Sequence, residues 1–141
     1  MQQKIQLRKK YFNLRKKKYF EIDKSFFLPL IKLTRLKFKK KVIKIALYYP
    51  SNFELNVLKI FEFKNFSNQD ILLPVTDKNN TMNFFPWKKN EALYVNEFGI
   101  LEPIKTKPKV PDLMLVPILA FDKKKYRLGY GKGFYDRYLN K

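Results

Sequence analysis

Arg127-Leu128-Gly129-Tyr130-Gly131-Lys132-Gly133-Phe134-Tyr135-Asp136 is the stretch that organises the reading of this chain. The protein has only four glycines, and three of them fall at 129, 131 and 133. Glycine tolerates positive φ and lets a ligand approach the backbone closely. Successive amides in such a turn can form a concave anion-binding nest. The residues from Phe134 onward have helical character, so the loop is expected to lead into a helix and to gain the positive end of its dipole. Arg127 and Lys132 add full charges. Asp136 is the nearby carboxylate, suited to a Mg²⁺ ion carried on phosphates. The spacing is neither a Walker loop, which needs Gly-Lys-Ser/Thr, nor a dinucleotide loop, which needs Gly at 134. A Gly-rich strand-to-helix turn is the plainer alternative.

Upstream, Leu113-Met114-Leu115-Val116-Pro117 reads as a strongly apolar strand, and residues 106–111 as a Pro- and Lys-rich connector. Residues 41–49 read as a buried strand ended by Pro50-Ser51-Asn52. Residues 54–63 show helical periodicity. Asp70–Val75 is a short strand, 76–80 a turn, and 81–87 and 92–95 are strand-like, with a loop over 96–103. At the N-terminus, residues 3–20 carry Ile5, Leu7, Tyr11, Phe12 and Leu14 at helical spacing, which places Lys4 and Arg8 on one face. A second helix is expected over 23–36, capped by Asp23 or Ser25, with Pro29 imposing a kink or a later start. Strands alternating with helices predict a three-layer α/β fold: a mostly parallel sheet with helices on both faces.

Composition narrows the chemistry. The 141 residues, 45% of them hydrophobic, suit one globular domain. Cys and His are both absent, which excludes disulfides, thiol nucleophiles, thiolate metal sites and imidazole acid–base work. Carboxylates, Lys, Arg, Tyr, backbone groups and hard metal ions remain, an inventory suited to phosphate chemistry. No apolar run is long enough to span a bilayer and no hydrophobic signal core opens the chain, so a cytoplasmic protein without a membrane partner is expected. The net charge of +19 invites a nucleic-acid reading. However, only five of the 31 basic residues are Arg (Arg8, Arg15, Arg35, Arg127 and Arg137). The Lys residues are scattered as well as clustered, which favours a solvated Lys-rich surface over an RNA-binding one. Each Arg is the better candidate for a specific role.

Pro111-Asp112-Leu113-Met114-Leu115-Val116-Pro117-Ile118-Leu119-Ala120-Phe121-Asp122, followed by the run from Tyr126 to Leu139, resembles the signature of the 5-formyltetrahydrofolate cyclo-ligase (methenyltetrahydrofolate synthetase) family. Lys4-Ile5-Gln6-Leu7-Arg8 resembles its opening K-x-x-L-R. Tyr48-Tyr49-Pro50 with Glu54-Leu55-Asn56 resembles its first strand and the acidic residue after it. Met82-x-Phe84 and Gly99-Ile100-Leu101-Glu102-Pro103 resemble its middle section. The likeness covers nearly the whole chain and carries the family's Rossmann-like fold with it.

The resemblance implies ATP-dependent conversion of 5-formyltetrahydrofolate to 5,10-methenyltetrahydrofolate, with ADP and phosphate released. It implies that Lys4 and Arg8 contact ATP phosphates. Arg127, Leu128, Gly129, Tyr130, Gly131, Lys132, Gly133, Phe134 and Tyr135 would form the ATP loop, with Arg127 and Lys132 as the catalytic cations. Asp136 would hold Mg²⁺. Tyr49, Glu54 and Tyr135 would contact the folate, with Trp87 a weaker candidate for the pterin pocket. A monomer is expected. Alternatives are a remnant that only binds nucleotide or folate, and a basic RNA-binding protein. Where the family has Gly before the acidic residue this sequence has Phe53, and where it has Thr after it, Val57. The family continues past Tyr135-Asp136 with further strands and a second metal carboxylate; this sequence ends at Lys141, so one domain, 1–141, is expected without them.

Overall fold

The structure is a computed structural model that describes residues 2–39, 42–64, 66 and 69–141. Its centre is a four-stranded sheet. β1 (Lys44–Ala46) lies between β2 (Asp70–Thr76) and β6 (Leu113–Met114), parallel to both, and β3 (Met82–Pro86) runs antiparallel on the outer side of β2. Two small hairpins complete the strands: β4 (Tyr94–Val95) with β5 (Leu101–Glu102), and β7 (Ala120–Phe121) with β8 (Arg127–Leu128). The sheet is therefore mixed but mostly parallel.

Strand alternation sends neighbouring side chains to opposite faces, and each face has its own core. Ile45, Leu47, Ile71 and Leu73 join Ile22, Phe27, Ile31, Val57, Ile60 and Trp87 in one cluster. Ala46, Leu72, Met82 and Phe84 form the other, with Phe134, Tyr135 and Tyr138 packed on it. The first face is covered by α2 (Leu28–Lys37) and two 3₁₀ segments, and the second by α3 (Phe134–Leu139). This is the expected three-layer arrangement. Phe84 is fully buried and meets the Tyr135 and Tyr138 rings at 6.4 and 4.9 Å. Phe84→Ala should cost about 3–5 kcal/mol, the usual range for emptying an aromatic core site; chemical denaturation would measure it. The same change should loosen α3, which carries Tyr135 and Asp136.

Several expected elements change form. The 41–49 strand shortens to β1, because its ladder ends at the Leu47 amide, bonded to Leu72 O at 3.0 Å, before the chain turns away; Lys41 lies outside the described residues. The helix expected over 54–63 is a 3₁₀ segment, Val57–Glu62. Its buried residues Val57 and Ile60 are three apart, which suits the three-residue turn of a 3₁₀ helix. Asn56 caps it by accepting from the Leu58 amide. The second helix divides at Pro29. Asp23 accepts from the Ser25 amide and starts a 3₁₀ turn, Lys24–Phe27, and α2 begins where Pro29 can sit in its first turn without wasting a donor. The 96–103 loop is mostly the β4–β5 hairpin. Gly99 turns it at φ 71°, and buried Glu102 accepts from the Thr76 amide and from Asn96 Nδ2.

α1 (Gln2–Lys17) contains no buried residue. Specific side-chain contacts hold it instead, and they lead to the site.

Candidate functional site

The β7–β8 hairpin delivers the chain into the glycine loop at Arg127, and α3 carries it away. Gly131 and Gly133 take positive φ, 104° and 70°, while Gly129 does not. Gly133 is the N-cap of α3 and provides no side-chain cap, so the first-turn amides are left without a side-chain acceptor at that position. Arg127 Nη2 reaches Asp136 Oδ1 at 2.9 Å across the loop. The pair is exposed, so its own contribution to stability is small. The Lys132 ammonium lies 3.7 Å from the centre of the Phe98 ring, on the β4–β5 hairpin. Phe98 also meets Phe134 at 5.9 Å, which braces the hairpin against the loop.

Arginines supply the remaining scaffolding. Arg8 Nε donates to Gly129 O at 3.0 Å. A methyl group at Gly131 would stand 3.1 Å from the Arg8 guanidinium carbon, on a backbone that L-residues rarely adopt. Gly131→Ala should therefore push Arg8 off the loop and cost ~1–3 kcal/mol of strain. The expected outcome is a lower melting temperature with weaker nucleotide binding, measured on one preparation by thermal unfolding and calorimetry. Arg137 donates to Lys132 O at 2.7 Å and to Asn80 O at 2.9 Å, tying the loop to the β2–β3 turn. Lys4 lies one turn before Arg8, exposed on α1. Arg137 lies within the signature run but was given no role in it, and Arg15 lies outside every motif; being one of only five Arg was the available signal for both.

The second half of the site follows β1. Residues 51–54 form a tight turn in which the Glu54 amide bonds to Ser51 O at 2.9 Å, while Glu54 Oε2 accepts from the Ser51 amide at 2.9 Å. The turn requires positive φ at Asn52 and Phe53, 49° and 61°. The expected family glycine would take that conformation freely, whereas Phe53 holds it under strain. Its ring is fixed against α1 and the chain just after it, with edge contacts to Phe12 and Tyr19 at 6.4 and 5.9 Å and Lys16 5.8 Å above it.

Glu54 is buried and lines two adjoining clefts. One, of about 440 Å³, is bounded by Tyr19, Tyr49, Ser51, Phe53 and Asn56. The other, of about 360 Å³, is bounded by Arg15, Tyr48, Phe53, Val116 and Ile118. They lie just past the carboxyl ends of β1 and β6, where open parallel sheets receive ligands. Burial pushes the Glu54 carboxyl above the usual carboxylate range; the Ser51 amide, the Tyr130 hydroxyl and Arg15 oppose this. Burial also raises Tyr48 and Tyr135, with Glu54 adding to both. The Tyr135 hydroxyl is buried without a hydrogen-bond partner among the described residues.

The structure thus brings Arg8, Arg127, Lys132 and Asp136 to one loop, and Tyr49 and Glu54 to one cleft, with Tyr135 close enough to Glu54 for its charge to be felt. Trp87 is a correction: it is core, with its indole N–H on Glu91 O at 3.2 Å and its ring against Phe61. No group of three metal-ligating side chains occurs among the described residues. Asp136 alone still fits Mg²⁺, which commonly takes one or two carboxylates and fills its remaining positions with phosphate oxygens and water.

These features define an α/β protein with a cationic glycine loop beside a carboxylate-lined cleft. A model of the 5-formyltetrahydrofolate cyclo-ligase family matches residues 1–141. The chain belongs to that family. It is 33% identical over 102 residues to the 5-formyltetrahydrofolate cyclo-ligase of Haemophilus influenzae, covering 67% of this chain and 54% of that one. It is 36% identical over 80 residues to a probable cyclo-ligase of Schizosaccharomyces pombe, covering 52% and 39%. The NMR structure of the Aquifex aeolicus 5,10-methenyltetrahydrofolate synthetase superposes with a TM-score of 0.69 at 31% identity, over 97% of this chain and 72% of that one. The Mycoplasma pneumoniae synthetase gives 0.65 at 30%, over 98% and 77%. The chain spans about half the length of the curated relatives it matches. Among the described residues no helix is long and apolar enough to cross a membrane.

Proposed function

We propose that this chain performs the family's ring closure: ATP and 5-formyltetrahydrofolate give 5,10-methenyltetrahydrofolate, ADP and phosphate. The observation that carries the reading is the pairing of a cationic glycine loop with a buried, hydrogen-bonded carboxylate at the strand ends. The loop suits triphosphate, through the amides around Gly131 and Gly133 and the charges of Lys132, Arg127 and Arg8. The cleft suits a flat heterocycle. Glu54 accepts hydrogen bonds from ring N–H groups, Tyr49 and Phe53 supply aromatic walls, and the unpartnered Tyr135 hydroxyl offers one more polar contact.

In this reading the formyl oxygen attacks the γ-phosphorus and ADP departs. The folate N10 then attacks the activated formyl carbon and gives up its proton to water, and the phosphate leaves with the former formyl oxygen. Lys132 and Arg127 neutralise charge that grows on the transferred group, where preorganised cations are most effective. Bound at Asp136, Mg²⁺ would shield the triphosphate charge. Exclusion of water from the cleft would protect the activated formyl carbon from hydrolysis.

Purified protein mixed with ATP, Mg²⁺ and 5-formyltetrahydrofolate should produce methenyltetrahydrofolate absorbance and one ADP per product. Folded protein that binds both ligands without producing that absorbance would reduce the role to binding.

A further inference from the structure

α1 is the most basic element and buries nothing, yet one of its side chains enters the site. Arg15 Nη1 lies 2.5 Å from the Tyr130 hydroxyl, and Arg15 Nη2 donates to Ile118 O beyond β6. Tyr130 stands between Gly129 and Gly131 in the glycine loop, and the Gly129 carbonyl is already held by Arg8 from the same helix. Arg15 and Glu54 line one cleft.

The donor inventory fixes the direction of this chain of contacts. A guanidinium has donors only, so the Tyr130 oxygen must accept from Arg15. The Tyr130 proton is then free to be given elsewhere. Glu54 stands on the wall of the same cleft as Arg15, and Tyr130 and Arg15 both act to hold its carboxyl down against the effect of burial.

We propose that Arg15 is a positioning residue of the folate cleft: from α1 it grips the Tyr130 oxygen and the Ile118 carbonyl, and so fastens the glycine loop and the chain after β6 around the cleft whose wall it shares with Glu54. The proposal rests on the cyclo-ligase reading for what the cleft binds. It assigns to the N-terminal helix a task on the folate side, in addition to the phosphate contacts expected of Lys4 and Arg8. The groups facing Glu54 are Ser51 on its own turn, Tyr48 after β1, Tyr130 in the loop, Tyr135 on α3 and Arg15 on α1, with Lys18 at the cleft wall. Arg15 is the one cation among those that act on the carboxylate directly. Burial favours the neutral acid, and Arg15 and the Tyr130 proton oppose it.

The test compares wild type with Arg15→Met, Arg15→Lys and Tyr130→Phe. The Glu54 carboxyl is titrated by carbon-13 NMR on glutamate-labelled protein, with Glu54→Gln identifying its signal. Arg15→Met and Tyr130→Phe should each move the titration to higher pH. Arg15→Lys, which keeps a charge and a donor, should recover most of the wild-type value. With substrate at pH 7, Arg15→Met should raise KM for 5-formyltetrahydrofolate about tenfold, the loss of one charge-assisted contact, with kcat changed much less. An unchanged Glu54 titration in both Arg15→Met and Tyr130→Phe would overturn the proposal. So would a loss confined to KM for ATP. If Arg15→Met does not fold, the Tyr130→Phe titration decides. Because the titration needs no ligand, a wild type that turns over nothing refutes the cyclo-ligase reading while the Arg15–Tyr130–Glu54 arrangement is still judged by its own signal.

Discussion

On the proposed reading, Lys132→Ala is expected to lower kcat for ATP-driven ring closure by about 10³-fold, with the melting temperature nearly unchanged. The size follows from the role. A preorganised cation at the transferred phosphoryl group acts where charge develops, and losing one such group typically costs 10²–10³-fold or more. The unchanged stability follows from the surroundings. Lys132 is exposed, and its ammonium rests on the face of Phe98, a contact contributing about 0.5–1 kcal/mol at an exposed site. Gly131 and Gly133 set the loop backbone, and Arg8 and Arg137 brace it through Gly129 O and Lys132 O. None of these contacts needs the Lys132 side chain. Steady-state kinetics beside a thermal melt check both halves. A large loss of stability would mean that Lys132 is a structural residue.

If the proposed reaction holds, Glu54→Gln is expected to lose most turnover, by roughly 10²-fold or more, and yet to make the protein more stable at neutral pH. The reason is linkage. Burial raises the Glu54 carboxyl above its ordinary value of 4.5 in the folded protein. Below 4.5 both folded and unfolded chains hold the proton, and Glu54 costs nothing. As pH rises through the ordinary value, the unfolded chain ionises first, and the folded protein is progressively disfavoured until its own raised pKa is passed. A neutral Gln avoids that cost, and its carbonyl can still accept from the Ser51 amide. The gap in melting temperature between variant and wild type should therefore open as pH climbs past 4.5 and close in acid. A gap that widened in acid would reverse the sign and would show Glu54 to be better stabilised folded than unfolded.

Different features made different parts of this protein legible in sequence. The glycine loop stood out because three glycines lie within five residues beside Arg127, Lys132 and Asp136, a cluster that composition does not produce. The layered sheet was legible from the alternation of apolar strands with helical spacing, which Ile45, Ala46, Ile71 and Leu72 realise by facing opposite cores. By its own pattern Glu54 was only the first residue of an expected helix, and the family resemblance alone suggested a role for it. Its actual setting, a turn with two non-glycine residues at positive φ, leaves no pattern in a single sequence. The helix expected around it failed because a 3₁₀ segment with Val57 and Ile60 inward gives apolar spacing close to that of an α-helix. Trp87 was ambiguous for a similar reason, since an aromatic ring serves core and pocket equally until its neighbours are known. Arg15 was hidden by its context: one cation in a helix crowded with them looks solvated, and only the fold brings it to Tyr130 and Glu54.

In the proposed reaction the formyl oxygen is activated by phosphorylation at the glycine loop and lost as phosphate. Its most direct test uses 5-formyltetrahydrofolate labelled with oxygen-18 in the formyl group, ATP and Mg²⁺, with the released phosphate analysed by mass. One labelled oxygen is expected in each phosphate, in step with methenyltetrahydrofolate formation. Unlabelled phosphate, or phosphate released without the methenyl product, would contradict it.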